Sequence, residues 1–298
     1  MTQSKSVRRP RWPWLIGVLA LLVAAAGLAR ITKHMVMPYR SHVAAVDQEL
    51  ARQGLAGLQD VSFRTSDGLL LRGWFAPGAR RDAVIFVHGL GANRMAFLPE
   101  AILLSQQGHG VLVYDSRASG ESEGRVATWG DRERLDVHAA IDLALSKPEV
   151  APGRLGLFGC SVGGTTVALE GAADPRVGAV MLGPTWPSFG EEMRQNNPGL
   201  AGLEAFSVLL SVRLVGLHPE VLQPIEVVHQ IAPRPLFLFS GSEDTDTPPA
   251  EMARLQAAAP GSERWVVPGA GHCSYITGSP IEYPSRLLGF FDRAFPRP

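Results

Sequence analysis

Ser161 lies in Gly159-Cys160-Ser161-Val162-Gly163, a G-x-S-x-G pentapeptide between a strand-like run, Arg154 to Phe158, and a helical pattern reaching about Ala172. A serine at a sharp strand-to-helix turn presents its hydroxyl for attack on a carbonyl carbon. Such a turn strains the backbone at residue 161; small neighbours at Gly159 and Gly163 permit it, and Gly164 lets the helix approach the sheet. The helix N-terminus and the Val162 N–H then face the position of a developing oxyanion.

A serine hydroxyl is a weak nucleophile until a base takes its proton. His272, in Pro268-Gly269-Ala270-Gly271-His272, alone among the eight histidines follows a strand-like run (Trp265 to Val267) in the closing part of the chain. A neutral imidazole accepts the serine proton and returns it to the leaving group. A carboxylate behind it binds Nδ1–H, fixes the tautomer and stabilises the imidazolium. Asp244 is the expected acid, in Gly241-Ser242-Glu243-Asp244-Thr245-Asp246-Thr247-Pro248 after the apolar run Leu236 to Phe239; Glu243 and Asp246 compete for the role. After the run Ala83 to Val87 comes His88-Gly89-Leu90-Gly91, where the Leu90 N–H is the expected second oxyanion donor beside Val162. His88 is expected to brace this loop by hydrogen bonds.

Elements able to position these groups alternate along the chain from Val61 onward, short apolar runs with helical patterns, which predicts a mostly parallel sheet covered on both faces. Two leading strands, near Val61 to Arg64 and Leu69 to Phe75, are joined by the turn Ser66-Asp67-Gly68. Strands follow at Ala83 to Val87, Gly110 to Tyr114, Arg154 to Phe158, Val177 to Leu182, Pro235 to Phe239 and Arg264 to Val267. Helices are expected at Phe97 to Gln107, Asp131 to Leu145, Ser161 to Ala172, Pro249 to Ala259 and Pro284 to Phe295. The stretch from about 184 to 233 breaks this rhythm and reads as a small helical cap over the carboxyl ends of the strands.

The 298 residues suit one sizeable domain, here residues 59–298, and the composition is that of an ordinary globular chain. Net charge is zero, but the first 40 residues hold seven Lys/Arg and no carboxylate. The body is therefore acidic, which argues against nucleic acid as a partner. Residues 12–29, WPWLIGVLALLVAAAGLA, form an 18-residue uncharged stretch behind a basic segment at 1–11. They read as a transmembrane signal anchor, with residues 30–58 as a stalk or leading helix and the catalytic domain on the extracytoplasmic side. The alternative is a signal peptide cleaved near Gly27-Leu28-Ala29, leaving a secreted or periplasmic protein. The two cysteines, Cys160 and Cys273, each adjoin a proposed catalytic residue and can approach across the site; the expectation is two reduced thiols filling small spaces.

Taken together, the chain resembles the α/β-hydrolase family over about Val61 to Phe295, most closely its serine aminopeptidase-like and acylglycerol-lipase-like branch. The motifs that carry the resemblance are His88-Gly89, the Asp115-Ser116-Arg117-Ala118-Ser119-Gly120-Glu121-Ser122 loop, Gly130 with Glu133 and Asp136, the elbow at 159–164, Gly241 with Asp244 and Pro248, and Gly271-His272. The resemblance implies an α/β-hydrolase fold, a triad of Ser161, Asp244 and His272 in the chain order of that fold, and an oxyanion hole from Leu90 and Val162. It implies no cofactor. Departures are Cys160, where this branch often carries His, Ala118, where a glycine is expected after Arg117, and the absence of an HGGG-type loop. Asp115 and Arg117 are expected to support the floor of the site.

The chemistry expected is acyl transfer to water on a small hydrophobic ester. Apolar residues of the cap (Trp186, Phe189, Met193, Leu203, Phe206, Leu209, Leu210) suggest an apolar acyl or alkyl group. A peptidase or amidase is the alternative, with Glu191, Glu192 or Glu204 available to hold a substrate amine. An acyltransferase would use the same triad, and a catalytically silent binding protein would share the fold. His88, His138 and His272 lack metal-ligand spacing with cysteines or carboxylates, so no metal is expected, and the glycine-rich stretches match neither a P-loop nor a dinucleotide fingerprint.

Overall fold

The computed structural model describes residues 39–196 and 216–297 continuously, with Trp14, 17–19, Leu22, 25–27, 209–210 and 212–213. The strands are β1 (Gln59–Arg64), β2 (Leu70–Ala76), β3 (Ala83–Val87), β4 (Gly110–Asp115), β5 (Leu155–Gly159), β6 (Ala179–Leu182), β7 (Leu236–Gly241) and β8 (Glu263–Val267). They form one sheet in the order β1-β2-β4-β3-β5-β6-β7-β8. β2 runs antiparallel to β1 and β4, and the remaining neighbours are parallel. The β1–β2 turn falls at Ser66-Asp67-Gly68, where Gly68 takes φ 93° and its N–H donates to the Thr65 carbonyl at 2.9 Å.

Long helices are α1 (Ala45–Gly54), α2 (Leu98–Gln106), α3 (Glu133–Leu145), α4 (Val162–Ala173), α5 (Phe189–Asn196), α7 (Pro249–Ala258) and α9 (Glu282–Ala294), with short α6 (Pro224–Val227) and α8 (Tyr275–Gly278). Side chains alternate across each strand, so two cores form. Ala83, Ile85 and Val87 of β3 and Leu236 and Leu238 of β7 join a core with α3, α4 and α7. Val84, Phe86, Phe237 and Phe239 face the other way, into a core with α1, α2 and α9. This is the α/β architecture expected, a mostly parallel sheet with helices on both faces, and its central strands are apolar throughout because both sides are covered.

Between β6 and β7 lie α5, a 3₁₀ turn at Pro219–Val221, α6 and a second turn at Val228–Ile231. Phe189, Met193, Val212, Leu217 and Leu222 from this stretch pack with Leu169 of α4 in a third, smaller core. Leu203, Glu204 and Phe206 lie outside the described residues.

The membrane expectation is corrected. Among the described residues no helix is long and apolar enough to cross a membrane. The membrane-anchored topology, the membrane as partner, and the extracytoplasmic location argued from residues 12–29 are therefore withdrawn.

Candidate active site

Ser161 occupies the turn between β5 and α4 with φ 60° and ψ −128°, a conformation that a non-glycine residue adopts only under local constraint. Its N–H donates to the Pro184 carbonyl at 2.6 Å, and its carbonyl accepts from Thr165 N–H at 3.0 Å. A Cβ on Gly163 would collide with the carbonyls of Val87 and His88, and one on Gly159 would collide with the Gly163 backbone. Gly163 is thus demanded by close approach of α4 to the end of β3, and Gly159 by the tight turn of β5 into α4.

The loop after β3 passes beside the serine: a Cβ placed on Gly89 would lie 3.6 Å from Ser161 Oγ. His88 is buried, with Nδ1–H donating to the Gly89 carbonyl at 2.8 Å and Nε2 accepting from Ser116 N–H at 3.0 Å. Burial pushes its pKa below the ordinary imidazole value, consistent with a neutral ring that shapes the loop. Leu90 follows with its side chain 42% exposed.

Of the three acidic candidates after β7, the one in contact with the histidine is Asp244. Its Oδ2 and Oδ1 lie 2.9 and 3.1 Å from His272 Nδ1. Oδ1 also accepts from the N–H groups of Asp246 at 3.0 Å and Thr247 at 2.8 Å. Asp244 is buried, whereas Glu243 and Asp246 are exposed. Burial works against a charged His272, but the Asp244 hydrogen bond and the charges of Asp244, Asp246 and Glu192 leave its pKa above the usual value. No hydrogen bond joins His272 to Ser161 among the described residues; such contacts commonly tighten only around substrate.

The cysteines are not reduced thiols. Cys160 and Cys273 form a disulfide across 113 residues, with Cα atoms 6.1 Å apart. The elbow at the end of β5 and the loop after β8 come together because six parallel strands, β3 to β8, deliver their carboxyl ends to one edge of the sheet.

A narrow cleft of only about 10 Å³ opens on Ser161, lined by Trp129, Val162, Thr165, Thr185, Trp186, Glu192 and Thr247. Its lining is mixed rather than purely apolar. Trp129 carries no catalytic or binding signal in the sequence, whereas Glu192 is one of the three carboxylates expected to be available for a substrate amine. Trp129 takes φ 57°, and its neighbours Thr128 and Gly130 donate their N–H groups to the buried Glu133 carboxylate at 2.7 and 2.8 Å. The Trp129 ring stands edge-on to Phe189 at 5.3 Å. Burial raises the Glu192 carboxyl to about 7, and Asp246 adds to the rise while His272 opposes it.

Beneath the site, Asp115 accepts from Arg94 N–H at 2.7 Å, Arg94 Nη2 at 2.6 Å and Glu121 N–H at 2.8 Å. Arg117 binds Asp136 at 2.7 Å and Asp67 at 2.9 Å. Ala118 sits at φ 57°, which accounts for the glycine expected there. Among the described residues the fold gathers two sets of potential metal donors: Cys160, His272 and Cys273, and His138, Glu170 and Asp174. Sequence spacing hid both, since their members come from separate elements. In the second set Arg176 already neutralises Asp174 at 2.6 Å.

The model of the alpha/beta hydrolase family matches residues 84–286, from β3 to past His272. The chain belongs to the alpha/beta hydrolase family. This hydrolase is 27% identical over 273 residues to a polyketide transferase of Aspergillus fumigatus, covering 75% of this chain and 94% of that one. It is 30% identical over 218 residues to an uncharacterized protein of Mycobacterium tuberculosis, covering 72% of each. Among solved structures it is similar to an esterase of Pyrococcus furiosus, with 25% identity, a TM-score of 0.68, and coverage of 86% of this chain and 98% of that one. The match is to the broad family and not to the branch resembled in sequence.

Proposed function

We propose that this hydrolase cleaves small carboxylic esters through an acyl-enzyme, with Ser161 as nucleophile, His272 as base and Asp244 as its orienting acid. The observation that carries this reading is the Asp244–His272 contact at 2.9 Å in a loop tied by the disulfide to the Ser161 elbow. With Nδ1 facing Asp244, the other ring nitrogen, Nε2, is the one available to the serine. Ser161 Oγ attacks the carbonyl carbon while His272 takes its proton. His272 then protonates the leaving alcohol, and water activated by the same ring releases the acid. The Leu90 and Val162 N–H groups bind the oxyanion, each worth about 3 kcal/mol of transition-state stabilisation.

The cleft, at about 10 Å³, lies far below the ~300 Å³ at which drug-sized pockets begin, so a bulky acyl group has no room beside Ser161. The similarity to an esterase fits hydrolysis. Acyl transfer to an alcohol is the second reading, favoured by the similarity to a polyketide transferase. It requires only that an alcohol replace water at the acyl-enzyme. The finer branch, lipase-like or aminopeptidase-like, rests on the motifs alone.

The test is hydrolysis of p-nitrophenyl esters from acetate to palmitate by wild type and Ser161→Ala. Activity confined to short chains and abolished in the variant supports the proposal. Added alcohols that speed nitrophenol release and trap new esters identify transfer. Folded wild type no more active than Ser161→Ala on any ester would move amides, or ligand binding without catalysis, ahead.

A further inference from the structure

Cys160 and Cys273 are the chain neighbours of Ser161 and His272, and each places a sulfur at the edge of the proposed catalytic site. In the disulfide neither sulfur is a metal ligand of consequence, because a metal is bound by the thiolate. Yet both sulfurs and one His272 ring nitrogen lie within 4.8 Å of one another. We propose that reducing the Cys160–Cys273 bond creates a binding site for a thiophilic divalent ion, such as Zn²⁺ or Cd²⁺, made of two thiolates and the His272 imidazole, and that occupancy switches the hydrolase off.

Three features favour this site. Two sulfurs and one imidazole form a set that selects such ions, and three protein ligands leave a fourth position open. Asp244 grips Nδ1 at 2.9 Å, which leaves Nε2 as the coordinating nitrogen. A carboxylate behind a metal-binding histidine also raises its basicity and fixes the ring. Finally, Asp244, Asp246 and Glu192 are the charged groups that act on His272, and all are acidic, so a cation is attracted. Arg94 and Arg117 are occupied by Asp115, Glu121, Asp67 and Asp136.

The reduction consumes two electrons and two protons from a dithiol, which becomes a cyclic disulfide, and yields two cysteine thiols. Binding M²⁺ then releases two thiol protons, as the ion bonds to both sulfurs and to Nε2. The metal holds the lone pair with which His272 would take the Ser161 proton, so loss of activity follows; that part rests on the role proposed for His272 above. Cys273 is partly exposed, which gives a reductant access, while Cys160 is buried.

Reduced full-length protein, freed of dithiol, and untreated protein are titrated with Cd²⁺ while the ultraviolet thiolate-to-cadmium absorption and p-nitrophenyl acetate hydrolysis are followed. The reduced form should take up one equivalent, lose at least tenfold in rate and recover with a chelator; the disulfide form should do neither. Ser161→Ala, reduced, should still show the absorption, so binding is read even where ester hydrolysis fails. Cys160→Ser and Cys273→Ser should each lose it. Reduced protein that unfolds by circular dichroism, or that binds no more Cd²⁺ than the disulfide form, overturns the site. Binding with undiminished hydrolysis overturns the switch.

Discussion

Asp244 meets His272 Nδ1 with both carboxylate oxygens, at 2.9 and 3.1 Å, while one of them also caps the N–H groups of Asp246 and Thr247. Asp244→Asn keeps an oxygen for those two N–H groups, so the turn should survive. The amide cannot enforce the Nδ1–H tautomer, and kcat on a p-nitrophenyl ester should fall by about 10³ to 10⁴. An unchanged melting temperature beside that loss would separate catalysis from folding; retention of most activity would remove Asp244 from the mechanism.

The pH profile follows from the same ring. His272 acts as base only when neutral, and its pKa is raised, so the acid limb of kcat/KM should lie above the ordinary imidazole range. Asp246 contributes to that rise from an exposed position. Asp246→Asn should therefore move the limb to lower pH, modestly and less so in high salt.

Glu192 makes a separate prediction about stability. Its ordinary value of 4.5 is raised to about 7 in the fold. Between those values the folded state holds a proton that the unfolded state has released, so this group's contribution to stability falls as pH rises from 4.5 to about 7. Glu192→Gln should flatten that part of the profile and raise the melting temperature above pH 7, measured against wild type across buffers. Parallel curves for the two proteins would show that the carboxyl is not held in this way.

Trp129 walls the cleft against Phe189. Trp129→Ala should enlarge it and raise the ratio of kcat/KM for hexanoate over acetate esters. An unaltered chain-length profile would place the acyl group elsewhere.

Gly163 admits no Cβ without moving the backbone of Val87 or His88. Gly163→Ala should cost about 1–3 kcal/mol in denaturant unfolding. It should also displace Ser161 and the β3 loop together, lowering kcat more than stability alone predicts.

Much of the fold is local enough to read along the chain. Apolar runs at Ala83–Val87 and Leu236–Gly241 are strands because covered sheets bury both faces, and the G-x-S-x-G turn is legible because sterics admit so few residues at 159 and 163. Ala118 at φ 57° marks where the fold tolerates a side chain that the pattern would leave out. Relationships between distant segments were not legible. Cys160 and Cys273 looked like separate thiols because nothing in either neighbourhood encodes their 6.1 Å separation. Trp129 reaches the cleft through Glu133 and its two backbone contacts, a geometry without a motif. The choice of Asp244 over Glu243 and Asp246 likewise depended on which carboxylate the turn folds inward. At 12–29 the membrane expectation rested on hydropathy alone, and no helix among the described residues is long and apolar enough to cross a membrane.

The bond between Cys160 and Cys273 also closes a covalent ring containing α4 to α7 and β6 to β8. A peptide bond cut anywhere from Ser161 to His272 opens that ring without dividing the molecule, and the two pieces stay joined beside the serine and the histidine. Backbone integrity and molecular mass are therefore independent properties of this chain, and a protease nick within the ring becomes visible on a gel only after a reductant has separated the fragments.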